Sequence, residues 1–109
     1  MLLVNKNITV VGMGLTGIAS ANFLVSKKGC VTLIDSKPRS KLEKDMRSLN
    51  PQIRTLFECS EIPLNSELIV LSPGVNINSP FLEKANKQGI PVISEIELAS
   101  RFTQTPIIA

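Results

Sequence analysis

The chain has 109 residues, of which 43% are hydrophobic and 19% charged, and it carries a net charge of +3. This length allows one domain with one core, and the composition excludes a disordered or low-complexity protein. Basic residues interleaved with acids, with no Trp or Tyr, argue against a nucleic-acid partner. Without a His, the chain cannot build the usual zinc sites or a Ser-His or Cys-His catalytic pair, and no metal site is predicted.

Strand and helix patterns alternate along the chain. Strands are predicted at 8–11, 31–34, 53–57, 68–71 and 91–93. Helices are predicted at 15–28, 40–49, 79–88 and 94–102. Capping boxes at Ser40 with Glu43 and at Ser94 with Glu97 support two of these helices, and Gly29 is placed to close the first in the left-handed conformation.

This alternation predicts an α/β fold, a Rossmann-like parallel sheet of about five strands with helices on both faces. Residues 1–103 are expected to form that domain. The last residues of the chain, 104–109, are expected to be the truncated first strand of a following domain. No apolar run approaches the ~20 residues of a membrane span, and the two cysteines have no motif spacing, so we expect a cytoplasmic protein with reduced thiols.

A glycine turn follows the first strand and opens the first helix, with Gly12, Gly14 and Gly17 in a GxGxxG pattern. The first glycine permits the tight turn, the second lets a phosphate approach the backbone, and the third lets helix and strand pack closely. Because the helix dipole and free amides face the same point, the turn predicts a nucleotide diphosphate site. The alternative is a tight turn that serves packing alone.

Two further loops fall at the same predicted edge of the sheet. Asp35, followed by Ser36 and Lys37, ends the second strand, where a carboxylate can accept hydrogen bonds from a ribose or a base. The Ser72-Pro73-Gly74 turn ends the fourth strand. The alternative for Asp35 is a helix-capping or loop aspartate. The alternative for Ser72-Pro73-Gly74 is a simple turn.

Four segments of the chain together resemble the N-terminal domain of the Mur ligase family. They are VVGMGLTGIA at 10–19, LIDS at 33–36, LIVLSPGV at 68–75 and GIPVISEIEL at 89–98. Among these ligases, the short glycine turn and the Ser-Pro-Gly segment favour the D-glutamate-adding members, of the MurD type. The last two segments are more specific than the glycine turn, because ordinary dinucleotide-binding folds do not carry them.

The resemblance implies that the domain binds the UDP portion of UDP-MurNAc-L-alanine in bacterial peptidoglycan synthesis, a process needed for cell shape and division. The backbone of Gly14 with Leu15 and Thr16 is then expected to contact the diphosphate, Asp35 and Ser36 the uracil end, and Gly74 the sugar-diphosphate. Lys37 stands where the family often has Arg, so it retains the charge and loses the planar stacking surface. The full set of expected substrate-binding residues is Gly12, Gly14, Leu15, Thr16, Gly17, Asp35, Ser36, Lys37, Ser72, Pro73 and Gly74.

The resemblance also implies that catalysis occurs outside this segment. A family member continues from 107–109 into a glycine-rich ATP loop and a metal-binding central domain, so ATP, Mg²⁺ and D-glutamate are expected to bind only in the full-length enzyme. We therefore expect the chain to be monomeric, to bind without a cofactor of its own, and to be inactive alone. Two other functions are also compatible with the glycine turn and Asp35. They are an NAD-binding domain of an oxidoreductase and a regulatory nucleotide-sensing module.

Overall fold

The sheet has five parallel strands in the order β3-β2-β1-β4-β5. A computed structural model describes residues 3–63, 65–76 and 78–103 of the chain. The strands are β1 Asn7–Val11, β2 Cys30–Ile34, β3 Arg54–Leu56, β4 Leu68–Leu71 and β5 Val92–Ser94. All five predicted strands are therefore confirmed, with ends that differ by at most one residue. The α/β fold class is confirmed as well.

Helices cover both faces of the sheet. They are α1 Leu15–Ser26, α2 Glu83–Lys87 and α3 Glu95–Thr103. Helices α1 and α3 pack on one face, where Ile18, Leu24 and Leu98 join a buried cluster with Val10 and Val70 of the central strands. Helix α2 packs on the other face, in a second cluster that we call the α2-face core. Its buried members are Val11, Ile34, Ile69, Leu71, Leu82 and Ala85.

Strands β1 and β4 form the centre of the sheet and are fully or almost fully buried. The chain runs outward from β1 through β2 to the edge strand β3, and then returns to pair β4 with the other side of β1. Connections therefore leave β1 and β4 toward opposite sides of the sheet. In open α/β sheets, ligands bind outside the carboxyl ends of the strands at such a switch point.

The predicted second crossover helix at 40–49 is wrong, because this segment forms two 3-10 turns, at Arg39–Lys41 and Asp45–Ser48. The apolar side of the segment still packs against the core, since Leu42 is buried there. Tertiary anchors override the helical pattern here. The Asn22 side chain of α1 donates to the carbonyl of Ser48 and accepts from the amide of Asn50, both at 2.8 Å, and so fixes the end of the segment.

Smaller differences occur at the ends of the other helices. Lys28, not Gly29, takes the left-handed conformation after α1, with φ of 70°. The predicted helix at 79–88 begins as a 3-10 turn, Pro80–Leu82, before α2, and Gly89 closes it at φ of 75°. One of the two hydrogen bonds of the capping box predicted for α3 is confirmed, because the Glu97 amide donates to Ser94 Oγ at 3.1 Å. The Glu97 carboxylate instead pairs with Arg101 at 2.7 Å.

The strand expected at the end of the chain, within 104–109, lies outside the described residues. Within the part of the chain that the structure describes, no helix is both long enough and apolar enough to cross a membrane.

Candidate functional site

A cleft of about 480 Å³ opens at the carboxyl edge of the sheet. The loops that follow β1, β2 and β4 form its walls. Every residue predicted from the sequence to bind the substrate lines this cleft, namely Gly12, Gly14, Leu15, Thr16, Gly17, Asp35, Ser36, Lys37, Ser72, Pro73 and Gly74. Three loops that are far apart in the sequence are thus brought to one site.

The glycine turn is as tight as the sequence pattern predicts. Gly12 has φ of +100°, a conformation that side chains disfavour. A Cβ atom on Gly17 would lie 1.8 Å from the Gly12 carbonyl oxygen and 2.7 Å from Ser72 Oγ. The start of α1 can therefore approach the end of β1 only because position 17 carries no side chain.

Gly14 differs from these two glycines because it faces open space. It is the N-cap of α1 with extended backbone, φ −62° and ψ 177°, and a Cβ atom there would meet nothing within 4 Å. A glycine has no side chain to cap the helix, and the first amides of a helix have no partner within the helix. With Leu15 and Thr16 also lining the cleft, this helix start directs N–H groups and the positive end of the α1 dipole into the cleft, an arrangement that favours negative charge there.

Asp35 clamps the glycine turn to the loop after β2. One carboxylate oxygen, Oδ2, accepts the Met13 amide at 2.8 Å, and the other, Oδ1, accepts the Lys37 amide at 2.8 Å. Hydrogen bonds from amides to a carboxylate are stronger than neutral ones, so this pair fixes the relative position of two walls of the cleft. Each oxygen retains a second lone-pair direction that can accept a ligand hydroxyl.

Ser72 ties the third wall to the same turn. Its hydroxyl donates to the Gly12 carbonyl at 2.8 Å, and the side chain is largely buried. Pro73 and Gly74 are exposed beyond it, and Gly74 has φ of +91° with open space around its α-carbon. Ser72 therefore positions the turn, while Gly74 leaves the backbone accessible to a ligand.

Several residues that line the cleft were missed in the sequence. They are Val11, Met13, Ile34, Cys59, Ser60, Val75 and Phe81. Cys59 and Ser60 follow the edge strand β3, so the rule that ligands bind at the carboxyl ends of strands could have found them. No sequence pattern predicts that Phe81 lines the cleft, because its position depends on how the segment before α2 packs against the sheet. In the described residues, no group of three or more His, Cys, Asp or Glu side chains is placed to hold a metal ion.

Comparison with known proteins gives a consistent result. One protein-family model matches residues 6–94, and its description is "Mur ligase MurD-like, N-terminal domain". The chain is 43% identical over 107 residues to a UDP-N-acetylmuramoylalanine–D-glutamate ligase of Koribacter versatilis, a match that covers 95% of the chain and 24% of that relative.

Two further ligases of the same name extend the comparison. The relative from Desulfatibacillum aliphaticivorans is 42% identical over 112 residues, covering 100% of the chain and 25% of the relative. The relative from Haemophilus influenzae is 35% identical over 104 residues, covering 95% of the chain and 24% of the relative. The chain thus spans about a quarter of the length of the curated relatives it matches.

Proposed function

The chain belongs to the Mur ligase family as a MurD-like N-terminal domain, and on this basis we propose that it holds the UDP portion of UDP-MurNAc-L-alanine for a D-glutamate-adding ligase. The observation that carries the proposal is the cleft at the carboxyl edge of the sheet. It combines an uncapped helix start, an open glycine at the N-cap and three fixed loops in one place. These are the features that a diphosphate needs, namely free amides and close backbone approach.

The UDP portion of the ligand has a proposed location in the cleft. The diphosphate lies against the Gly14 backbone with Leu15 and Thr16, where the helix dipole favours negative charge. The uracil end lies toward the loop at 35–37, and the sugar-diphosphate lies along the open backbone of Gly74. Lys37 is exposed at the rim, so its ammonium group contributes charge without a planar surface.

The chemistry of the parent enzyme is part of the same proposal. ATP converts the substrate carboxylate into an acyl phosphate, D-glutamate attacks it, and an amide, ADP and phosphate result. We assign ATP, Mg²⁺ and D-glutamate to the rest of a polypeptide about four times as long, as the matched relatives are. The 109-residue chain alone is therefore expected to bind as a monomer without turnover, and the parent enzyme to act in the cytoplasm in peptidoglycan synthesis.

Calorimetric titration with UDP-MurNAc-L-alanine tests the proposal. We expect saturable heat for the natural chain and strongly reduced heat for Gly14→Val, whose side chain would occupy the space where a phosphate approaches the backbone. Circular dichroism of the variant serves as the control for folding. Heat with NADH and none with UDP-MurNAc-L-alanine or UDP would instead favour a nicotinamide-binding domain and contradict the proposal.

A further inference from the structure

One aromatic side chain among the described residues, Phe81, lines the cleft. The other described phenylalanine side chains lie elsewhere. Phe23 faces a groove between α1 and α3, and the Phe57 ring lies under the Arg39 guanidinium, 5.9 Å from its centroid. Phe81 is therefore the single flat apolar surface that this part of the chain offers to a ligand in the cleft.

The backbone around Phe81 holds the ring in place. It is the middle residue of the 3-10 turn Pro80–Leu82, where Pro80 restricts the backbone and Leu82 is only 1% exposed in the α2-face core. Phe81 is half-buried against that core and also borders a neighbouring cavity of about 320 Å³. The ring thus forms a wall between two open spaces, and part of its surface remains accessible.

The apolar wall continues from Phe81 to the loop that carries Asp35. Ile34, directly before Asp35, belongs to the α2-face core, and Cys59 packs on that core while its amide donates to the Asp35 carbonyl at 3.0 Å. Val75 completes the wall on the side of Phe81. The cleft therefore has an amide-rich end at the start of α1 and an apolar side that leads from Phe81 to the second loop.

A nucleoside diphosphate has the same division, with charge on its phosphates and apolar faces on its base. Bases gain affinity by contact with aromatic side chains, and Lys37 at the rim offers no planar surface. We propose that Phe81 is a base-contacting residue of this cleft and contributes to recognition of the nucleoside, an inference that rests on the proposed function. It assigns the planar contact with the base to Phe81 and leaves Lys37 to contribute charge.

The test compares UDP with inorganic pyrophosphate on the 109-residue chain. Phe81→Leu and Phe81→Ala are expected to weaken UDP binding by roughly 5- to 100-fold, which is the range for aromatic contacts with a base. Pyrophosphate has no base, so its affinity should stay unchanged in both variants. Phe81→Tyr keeps the ring and should bind UDP like the natural chain. Phe57→Ala removes an aromatic ring outside the cleft and is the matched control.

A second readout is independent of affinity. Nuclear Overhauser effects are expected between uracil H5 and H6 and the ring protons of Phe81. If Phe81→Leu binds UDP within twofold of the natural affinity, this inference is overturned and the proposed function stands. The same holds if Phe81→Leu loses affinity for pyrophosphate as much as for UDP. Absence of UDP binding to the natural chain would overturn the proposed function, and the inference with it.

Discussion

Replacing Gly17 with Ala should damage the whole fold, although the change adds one methyl group. The added Cβ would lie 1.8 Å from the Gly12 carbonyl oxygen. Carbon–oxygen contacts are ordinarily no closer than about 3.3 Å, so α1 and the end of β1 would have to separate by about 1.5 Å. Because the clash is with backbone, no side-chain rotation can relieve it.

The expected cost follows from what this separation does to the core. Helix α1 buries Ile18, Ala21 and Leu24 against the sheet, each at most 2% exposed. A gap of 0.5–1 Å already forfeits about a quarter to a half of a dispersion contact. Alanine's better helix propensity returns at most ~1 kcal/mol, and overpacking costs about 1–3 kcal/mol or more. We therefore expect Gly17→Ala to lower the unfolding free energy by about 3 kcal/mol, a large share of the ~5–15 kcal/mol of a typical domain.

Gly14→Ala is the matched control, since the same methyl group there enters open space at an ordinary φ of −62°. Alanine is a poorer N-cap than glycine, which limits the expected loss to about 1 kcal/mol. Urea unfolding followed by circular dichroism distinguishes the two variants, because a 3 kcal/mol loss lowers the midpoint by about 1–3 M. Equal midpoints for Gly17→Ala and Gly14→Ala would refute the close approach of α1 to β1.

Three further predictions concern the hydrogen bonds and charges around the cleft and the sheet. Asp35→Asn places an NH₂ group opposite an amide donor, so we expect a loss of roughly 1–3 kcal/mol by urea unfolding and faster hydrogen exchange at Met13. Ser72→Ala removes the hydrogen bond to Gly12 and should cost about 0.5–1.5 kcal/mol in the same assay, with weaker UDP binding. An amide of β1 and a nearby lysine hold the pKa of Glu67 below its ordinary value of 4.5, so its stabilisation is full above that value and is lost as pH falls through the lower folded-state pKa. Glu67→Gln should therefore flatten the decline in stability of the natural chain as the pH falls below 4.5, and an unchanged slope would contradict the assignment.

Local patterns predicted the parts of the fold that depend on neighbouring residues. The β-branched and apolar runs located the five strands of the described residues. The glycine spacing located the turn, because backbone conformation at Gly12 and side-chain absence at Gly17 are local requirements. The sequence of β3 is typical of a strand at the edge of a sheet, since its polar residues do not suit burial on both faces. These features need no knowledge of distant contacts.

The remaining features depend on contacts between residues far apart in the chain. The Asp35 clamp needs the Met13 amide, which lies 22 positions earlier and is brought near only by pairing of β1 with β2. The false helix at 40–49 has good helical spacing, but the Asn22 side chain fixes a different backbone path. Phe81 reaches the cleft because its turn packs across the α2-face core. No local pattern contains this information.

We propose that the cleft at the carboxyl edge of the sheet holds a UDP diphosphate. A titration of the ¹⁵N-labelled chain with UDP, followed by amide chemical shifts, tests this proposal. We predict saturable shifts concentrated in the three loops of the cleft, at 12–17, 35–37 and 72–74. Shifts confined to another surface, or none in these loops at millimolar UDP, would contradict the claim.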